Sequence, residues 1–182
     1  DEYFEGRGLD PDWGRRLDAG IPPEDWLEDR FSSDDVNRVL HYMRERLVIP
    51  VRNISGGIVG FTGRTLSGKD PKWLHFPTKS RFKTSINLFN LDKASKWIRR
   101  TRSVLICEGP FDVMKSLMTG YYNCVAILGL QVHDAHVQLL KKCGMRYAIL
   151  GFDPDRVESE KVADNISKLK AADFTVRTLR WK

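Results

Sequence analysis

The sequence predicts an α/β fold in which a parallel sheet flanked by helices follows a basic α+β lobe. From residue 103 onward, short apolar runs alternate with helical patterns, whereas the preceding residues contain helical segments around one β-hairpin. Regular alternation of strands and helices is typical of parallel sheets with right-handed crossovers. We therefore expect two domains, a basic N-terminal lobe over residues 1–102 and an α/β domain over residues 103–182.

The N-terminal lobe is predicted to begin with helices and to continue with a hairpin. Residues 1–44 have helical character, and Ser33 or Asp34 is a suitable N-cap for a helix. Beyond them, two β-rich runs flank a turn whose glycines permit positive φ, and a looser segment to about Leu88 precedes a helix. These predicted strands and this helix are Leu47–Val51, Ile58–Thr62 and Asp92–Arg100.

The α/β domain contains predicted elements in the order β-α-β-α-β-α-β. The apolar runs predicted as strands are Ser103–Cys107, Cys124–Leu128, Tyr147–Phe152 and Thr175–Leu179. The helical patterns between them are Phe111–Met118, Asp134–Cys143, which Asp134 is expected to cap, and Ser159–Ala171. Strands this apolar are expected to be buried on both faces of the sheet.

Acidic side chains follow two of these strands at the points where they end. Glu108 comes directly after the first strand, and Asp153 and Asp155 come after the third. Because parallel strands end at the same edge of a sheet, where ligands of open α/β sheets bind, we expect the three carboxylates to converge. Their mutual repulsion favours a bound cation, and carboxylate oxygens suit Mg²⁺ or Mn²⁺. Any one acid alone is equally well explained as a helix cap or turn residue, but three in register favour a metal site.

Positive charge is concentrated in residues 60–102, which contain 11 Lys and Arg but only 2 Asp and Glu. Such an excess suits a polyanion, because each neutralised phosphate releases condensed counterions. The aromatic residues Trp73, His75, Phe76 and Phe82 are interleaved with these cations and are suited to stacking on bases. A merely solvated surface is the alternative interpretation, but it usually mixes both signs of charge.

The cysteines and the hydropathy pattern limit the remaining possibilities. Cys107, Cys124 and Cys143 lie far apart, without a CxxC pair or a His at zinc-ligand spacing, so we expect reduced core thiols and no zinc in this chain. No apolar run approaches the roughly 20 residues that span a bilayer, and the first residues do not resemble a secretory signal. The sequence therefore predicts a cytoplasmic protein with no membrane association.

Two motifs of the α/β domain resemble the Toprim signature. Glu108–Val113 has its Glu-Gly motif after one strand, and Asp153–Asp155 has its Asp-x-Asp motif after a later one. Upstream, four further motifs follow the order and approximate spacing of DnaG-type bacterial and phage primases. They are Glu45–Val51, Gly60–Arg64, Pro71–Leu74 and Leu88–Leu91. From about Tyr3 to Leu179 the chain therefore resembles the catalytic core of those primases, with a Toprim lobe as its second domain.

The resemblance implies a DNA-directed RNA polymerase of the primase type. Such a nucleotidyltransferase would use Mg²⁺ or Mn²⁺ to make short RNA primers from ribonucleoside triphosphates on a single-stranded DNA template. The acids that the resemblance makes catalytic are Glu108, Asp153 and Asp155, and the implied metal ligands are the same three with Asp112. The cations it implies in nucleic-acid or nucleotide binding are Arg46, Arg64, Lys72 and Lys83.

The chain also departs from the family pattern. Thr84 stands where the family has a lysine, with Lys83 one residue earlier, and Pro154 replaces the glycine often found in the Asp-x-Asp motif. Beyond the position of Lys182 the family usually continues into another acidic motif. The resemblance further implies a replicative helicase and a zinc-binding module outside this chain as partners, at a nucleoid or a viral replication site.

Two other functions stay open at this point. Toprim acids also serve nucleases and topoisomerases, although Tyr121 and Tyr122 look like ordinary residues between a helix and a strand rather than a topoisomerase nucleophile. A non-catalytic primase-like module would keep the cations and bind single-stranded nucleic acid without turnover. Val157 and Glu158, which replace a common Ala-Gly pair and add a carboxylate beside the acids, keep this third possibility in place.

Overall fold

A computed structural model describes residues 1–22, 43–68, 70–76, 83–153 and 159–179. The chain divides into two compact units, Asp1–Val51 with Ile58–Phe82, and Arg52–Gly57 with Lys83–Lys182. Residues 83–102 group with the second unit because the helix within them packs into its core. The domain boundary after residue 102 stays a prediction, and the helix cap predicted at Ser33 or Asp34 lies outside the described residues.

The first unit contains two short helices and a three-stranded sheet. Its elements are α1 (Glu2–Glu5), α2 (Pro11–Arg16), β1 (Arg46–Arg52), β2 (Ile58–Thr65) and β3 (Trp73–Phe76). The strand order is β1-β2-β3, and β3 runs antiparallel to β2 with Thr62 opposite His75. The sequence predicted the hairpin of β1 and β2 but left β3 within a looser segment.

Two glycines allow close packing in the first unit. A Cβ on Gly14 would lie 2.6 Å from the ring of Phe4, so the absence of a side chain lets α2 contact that buried phenylalanine. A Cβ on Gly63 would lie 2.5 Å from Met43 Sδ and 3.2 Å from Arg46 Cδ. Real Cβ atoms do not approach other atoms so closely, and glycine at residue 63 therefore leaves room for the Arg46 side chain to cross β2.

The second unit is a mixed α/β domain whose elements follow the predicted alternation. They are a 3₁₀ turn (Thr84–Ile86), α3 (Leu91–Thr101), β4 (Ser103–Cys107), α4 (Pro110–Met118), β5 (Cys124–Ala126), α5 (Asp134–Lys142), β6 (Tyr147–Gly151), α6 (Glu160–Ala171) and β7 (Thr175–Thr178). The strands form one parallel sheet in the order β5-β4-β6-β7. The predicted fold class, a parallel sheet flanked by helices and preceded by an α+β lobe, is confirmed.

Apolar burial holds one face of this sheet against α3, α5 and α6. Val104 and Ile106 of β4 are fully buried, as are Ala148 and Leu150 of β6. α3 covers the sheet with Leu91, Ala94 and Ile98, which recur at the three- and four-residue spacing of one helical face. None of the helices in the described ranges is long and apolar enough to cross a membrane.

Two helix starts in this unit rely on unusual residues. Asn90 adopts a left-handed conformation, with φ of 66°, before α3, and its side-chain amide donates to the carbonyl of Cys124 at 2.9 Å. Asparagine tolerates this region better than most residues. At α5 the predicted cap Asp134 is wrong, because His133 is the N-cap residue and Asp134 lies in the first turn, where it pairs with Lys168 at 2.6 Å.

A fully buried histidine ties the 3₁₀ turn to α5. His136 Nδ1 accepts from the His133 backbone N–H at 3.3 Å, and His136 Nε2 lies 2.7 Å from the Thr84 carbonyl. Because a carbonyl only accepts, Nε2 carries the proton and the ring is neutral. Burial lowers the pKa of His136, although its bond to Thr84 opposes this change.

We expect His136→Gln to reduce the loss of stability on acidification. The pKa of His136 is lowered in the folded state, so the neutral ring stabilises the fold. This contribution to the free energy of unfolding is fully present above the unfolded pKa of about 6.5. It is lost as the pH falls below that value, by at most about 1.4 kcal/mol per pH unit. Glutamine retains an amide donor and an acceptor but does not titrate. Urea unfolding between neutral and acidic pH measures this difference, and an identical pH dependence in both proteins would contradict it.

Candidate active site

The carboxyl ends of β4 and β6 form the switch point of the parallel sheet. The chain leaves β4 toward β5 on one side, and it leaves β6 toward β7 on the other. In open α/β sheets such a point creates a crevice that binds ligands. Because Cys107 pairs with Gly151, the loops that begin at Glu108 and Phe152 lie next to each other at this crevice.

Glu108 and Asp153 are in direct contact across the switch point. The backbone N–H of Asp153 donates to Glu108 Oε1 at 3.2 Å. Glu108 is half-buried, whereas Asp153 is exposed. The hydrogen bond fixes one carboxylate oxygen of Glu108 at the start of the acidic loop, and the structure thus brings together two of the acids that the sequence expected to converge.

Asp112 lies close to the same pair, in the first turn of α4. Its Oδ2 accepts from the backbone N–H of Gly109 at 3.0 Å, which turns the carboxylate back toward the loop after β4. Burial raises the pKa of Asp112, and the charge of Asp153 raises it further, whereas the bond from Gly109 lowers it. The contact with Gly109 thus keeps the Asp112 carboxylate beside the loop that begins at Glu108.

Asp155 and its neighbours Pro154 and Glu158 lie outside the described residues. Within the described part of the chain, no group of three or more His, Cys, Asp or Glu side chains is arranged to hold a metal ion. The chemistry of the donors nevertheless fits a hard divalent cation, because Glu108, Asp112 and Asp153 all supply carboxylate oxygens. The metal-ligand roles of Glu108, Asp112, Asp153 and Asp155 stay predictions.

The cations predicted to bind nucleic acid fall in different surroundings. Arg46 is 5% exposed, and its Nη1 donates to the Pro71 carbonyl at 2.8 Å and to the Gly63 carbonyl at 3.4 Å. Arg64 is half-buried and lies over the Trp73 ring, 5.5 Å from its centroid, while Lys72 is exposed. Their roles in binding stay predictions, although Arg46 has the contacts of a structural residue.

Lys83 is the one of these cations that belongs to the second unit. It is exposed and precedes the 3₁₀ turn, which His136 holds against the first turn of α5. Because α5 begins after the loop that follows β5, this contact places the turn at the edge of the sheet where the strands end. The sequence analysis missed His136, since a lone histidine in a helix gives no signal of so distant a contact.

The three cysteines are buried free thiols, as the sequence predicted. Burial raises the pKa of Cys124 to about 12 and raises that of Cys107 as well. A thiol with so high a pKa stays protonated near neutral pH and is a poor nucleophile. The chemistry at the switch point therefore rests on carboxylates, even though Cys107 directly precedes Glu108.

Two family models match the chain. Residues 19–95 match the N-terminal domain of the DNA primase catalytic core, and residues 102–180 match the Toprim domain. A DNA primase of Staphylococcus aureus strain MSSA476 is 35% identical over 159 residues, which are 87% of this chain and 24% of that relative. The chain therefore spans about a quarter of the length of this curated relative.

Solved structures of primase catalytic cores are also similar to this chain. The E. coli primase catalytic core has a TM-score of 0.78 and 25% identity, and the match covers 100% of this chain and 64% of that one. The catalytic domain of a DnaG primase bound to single-stranded DNA has a TM-score of 0.77 and 26% identity, covering 99% and 62% of the two chains. Together with the two family models, these likenesses show that the chain belongs to the DnaG-type primase catalytic cores.

Proposed function

We propose that this chain catalyses the metal-dependent synthesis of short RNA primers on a single-stranded DNA template. The observation that carries the proposal is the contact of Glu108 with the Asp153 backbone at the switch point, 3.2 Å long. It places acids of both Toprim motifs at the crevice where ligands of parallel sheets bind. Membership of the primase family supports nucleotide transfer as the reaction.

The proposed catalytic residues are Glu108, Asp153 and Asp155, with Asp112 as an additional metal ligand. A bound Mg²⁺ or Mn²⁺ would neutralise the triphosphate and lower the pKa of the attacking 3′-hydroxyl. The Asp153 N–H orients the Glu108 carboxylate, which is suited to hold a metal or to accept the hydroxyl proton. The Gly109 N–H holds Asp112 beside them.

The proposed template and nucleotide contacts are Arg46, Arg64, Lys72 and Lys83. The exposure of Lys72 and Lys83 supports phosphate binding, because exposed lysines contact phosphate as point charges. The structural neighbour bound to single-stranded DNA supports the choice of template. We propose residues 1–102 as the lobe that binds the template and residues 103–182 as the Toprim domain, with a helicase and a zinc-binding module as partners outside this chain.

The nuclease or topoisomerase alternative is not favoured. Toprim acids alone do not separate cleavage from polymerisation, but the match of residues 19–95 is to a domain of the primase core. A non-catalytic module differs from an enzyme only in turnover. The test is to incubate the chain with single-stranded DNA, labelled ribonucleotides, Mg²⁺ or Mn²⁺ and a complementing zinc-binding module. New oligoribonucleotides are expected, and their absence with both metals, despite DNA binding, would overturn the assignment.

We expect Asp153→Asn to weaken Mn²⁺ binding at least about tenfold while the fold survives, because the amide keeps the shape but removes a negative charge from the cluster. Isothermal titration measures the affinity, and urea unfolding without metal measures the stability. Asp173→Asn is the matched control, since Asp173 is exposed at the opposite edge of the sheet. Loss of folding with no change in metal affinity would instead assign Asp153 a structural role.

A further inference from the structure

The amino-terminal edge of the parallel sheet carries a cationic surface that the proposed reaction does not use. The turns that enter β4, β5, β6 and β7 meet there, and the only acidic residue in these turns is Asp173. We call the exposed cations of this edge the amino-edge surface. Its members are Arg99, Arg100, Arg102, Lys141, Lys142, Arg146 and Lys170. The sequence analysis had assigned the first three to one basic segment with Lys83, which lies at the other edge.

Backbone contacts bring the cations of this surface together. The Arg102 carbonyl accepts from the N–H groups of Arg146 at 2.8 Å and Tyr147 at 3.0 Å, and the Arg146 carbonyl accepts from Thr175 at 2.9 Å. Arg102 Nη1 also donates to the Gly144 carbonyl at 3.1 Å. A Cβ on Gly144 would lie 2.5 Å from that nitrogen, so glycine there lets the guanidinium lie across the turn.

Helix dipoles account for part of this charge. Four helices end at the edge, and cations in their last turns offset the negative end of each helix. Arg102 and Arg146 lie beyond the helix ends, where that effect falls off. Within the described part of the chain, none of the seven cations of this surface forms an ion pair. The surface is therefore an excess of positive charge suited to an external anion.

Exposed tyrosines lie among these cations. Tyr147 begins β6 directly after Arg146 and is 51% exposed, and Tyr121, in the turn before β5, is 58% exposed. Tyr122 stacks on Trp97 of α3, with ring centroids 5.1 Å apart. Surfaces that bind single strands combine cations for the phosphates with aromatic rings on which bases stack. Neither an acidic peptide nor a lipid headgroup needs such rings.

We propose that the amino-edge surface is a second contact surface for single-stranded nucleic acid, with phosphates on Arg99, Arg100 and Arg146 and a base on Tyr147. β4 separates it from Glu108 by five residues, about 16 Å of strand. A strand bound there is held at the edge of the parallel sheet away from the acids. This binding requires neither metal nor turnover, so it stands or falls separately from the proposed reaction.

The test compares two triple variants of equal charge loss. Arg99→Gln/Arg100→Gln/Arg146→Gln removes cations of the surface, and Arg7→Gln/Arg15→Gln/Arg16→Gln removes exposed arginines of the first unit. The affinity for labelled oligothymidylate is measured against salt concentration, without metal or nucleotides. The first variant is expected to bind about tenfold more weakly and to flatten the salt dependence by about two units, about 0.7 for each lost contact. Equal changes in both variants would overturn the proposal.

Two further measurements separate specific binding from general charge attraction. Tyr147→Ser keeps all the cations and is expected to weaken binding about fivefold through lost stacking. Unlabelled polyglutamate is expected to displace the labelled oligothymidylate less well than unlabelled oligothymidylate of equal charge does. Equal displacement by both polymers would indicate an acidic protein as the partner and would overturn the proposal. If thermal melting shows that the triple variant is unfolded, Arg146→Gln alone replaces it, with an expected change in slope of about 0.7.

Discussion

Glu108→Gln is expected to lower ribonucleotide incorporation at least about a hundredfold, because a group that binds metal or accepts a proton at the reacting centre supplies this much or more. The side chain keeps its size and an acceptor for the Asp153 N–H, so the fold should persist. Affinity for single-stranded DNA should change little, since the cations proposed to contact phosphates are retained. Primer synthesis and DNA binding are measured on the same preparation.

Asp173→Asn is the matched control for this experiment. Asp173 is exposed in the turn before β7, at the edge of the sheet opposite Glu108, and its replacement likewise changes a carboxylate into an amide. It is expected to leave incorporation within about twofold of the unmodified chain, because exposed charges act weakly through water. If Glu108→Gln retained full activity in an active preparation, the catalytic centre would lie elsewhere while the family assignment remained.

Arg46→Met is expected to lower the free energy of unfolding by about 3 kcal/mol, because it removes the charged donor from one buried and one part-buried carbonyl. The carbonyls are those of Pro71 and Gly63, which Arg46 Nη1 contacts at 2.8 and 3.4 Å. Methionine retains much of the apolar stem, so the loss reports the guanidinium rather than the packing. Urea unfolding of the whole chain measures the change.

Arg15→Met serves as its control. Arg15 is exposed and pairs with Asp1 and Asp12 at 3.0 and 3.2 Å, and such surface pairs contribute roughly 0–1 kcal/mol. If Arg46→Met instead kept full stability and lost affinity for nucleotides, Arg46 would be a binding residue, as the family resemblance implied. The pair of measurements therefore separates the structural role from the binding role.

The parallel sheet was predictable because β4, β5 and β6 are largely buried and therefore appear in the sequence as apolar runs between helices. β3 was not, because Trp73–Phe76 is half-buried at every position and shows neither an apolar run nor strict alternation. The position of β3 is set by its pairing with β2, and this pairing leaves no signal in the sequence of β3 itself. The N-cap of α5 was missed for a similar reason, since Asp134 is a better cap than His133 by residue type but pairs with Lys168 in the fold.

The meeting of Glu108 and Asp153 followed from topology, since both come directly after neighbouring parallel strands. The positions of the cations could not be predicted from the topology. α3 has 11 residues and is about 16 Å long, so it carries Arg99 and Arg100 to the edge opposite the one where its chain began. The burial of Arg46 depends on carbonyls 17 and 25 residues further along the chain. Neither the length of α3 nor these sequence separations can be seen in the local composition of the chain.

The two outer strands of the parallel sheet differ from its centre in a way that bears on self-association. β5 has three residues, and beyond it Phe89 pairs with Ala126 through two backbone hydrogen bonds. β7 has four residues, and its Thr175 and Arg177 are exposed. Long, flat, apolar margins recruit strands from other molecules, whereas short or charged ones do not. The Toprim sheet should therefore resist extension into fibrils by pairing with strands of other copies.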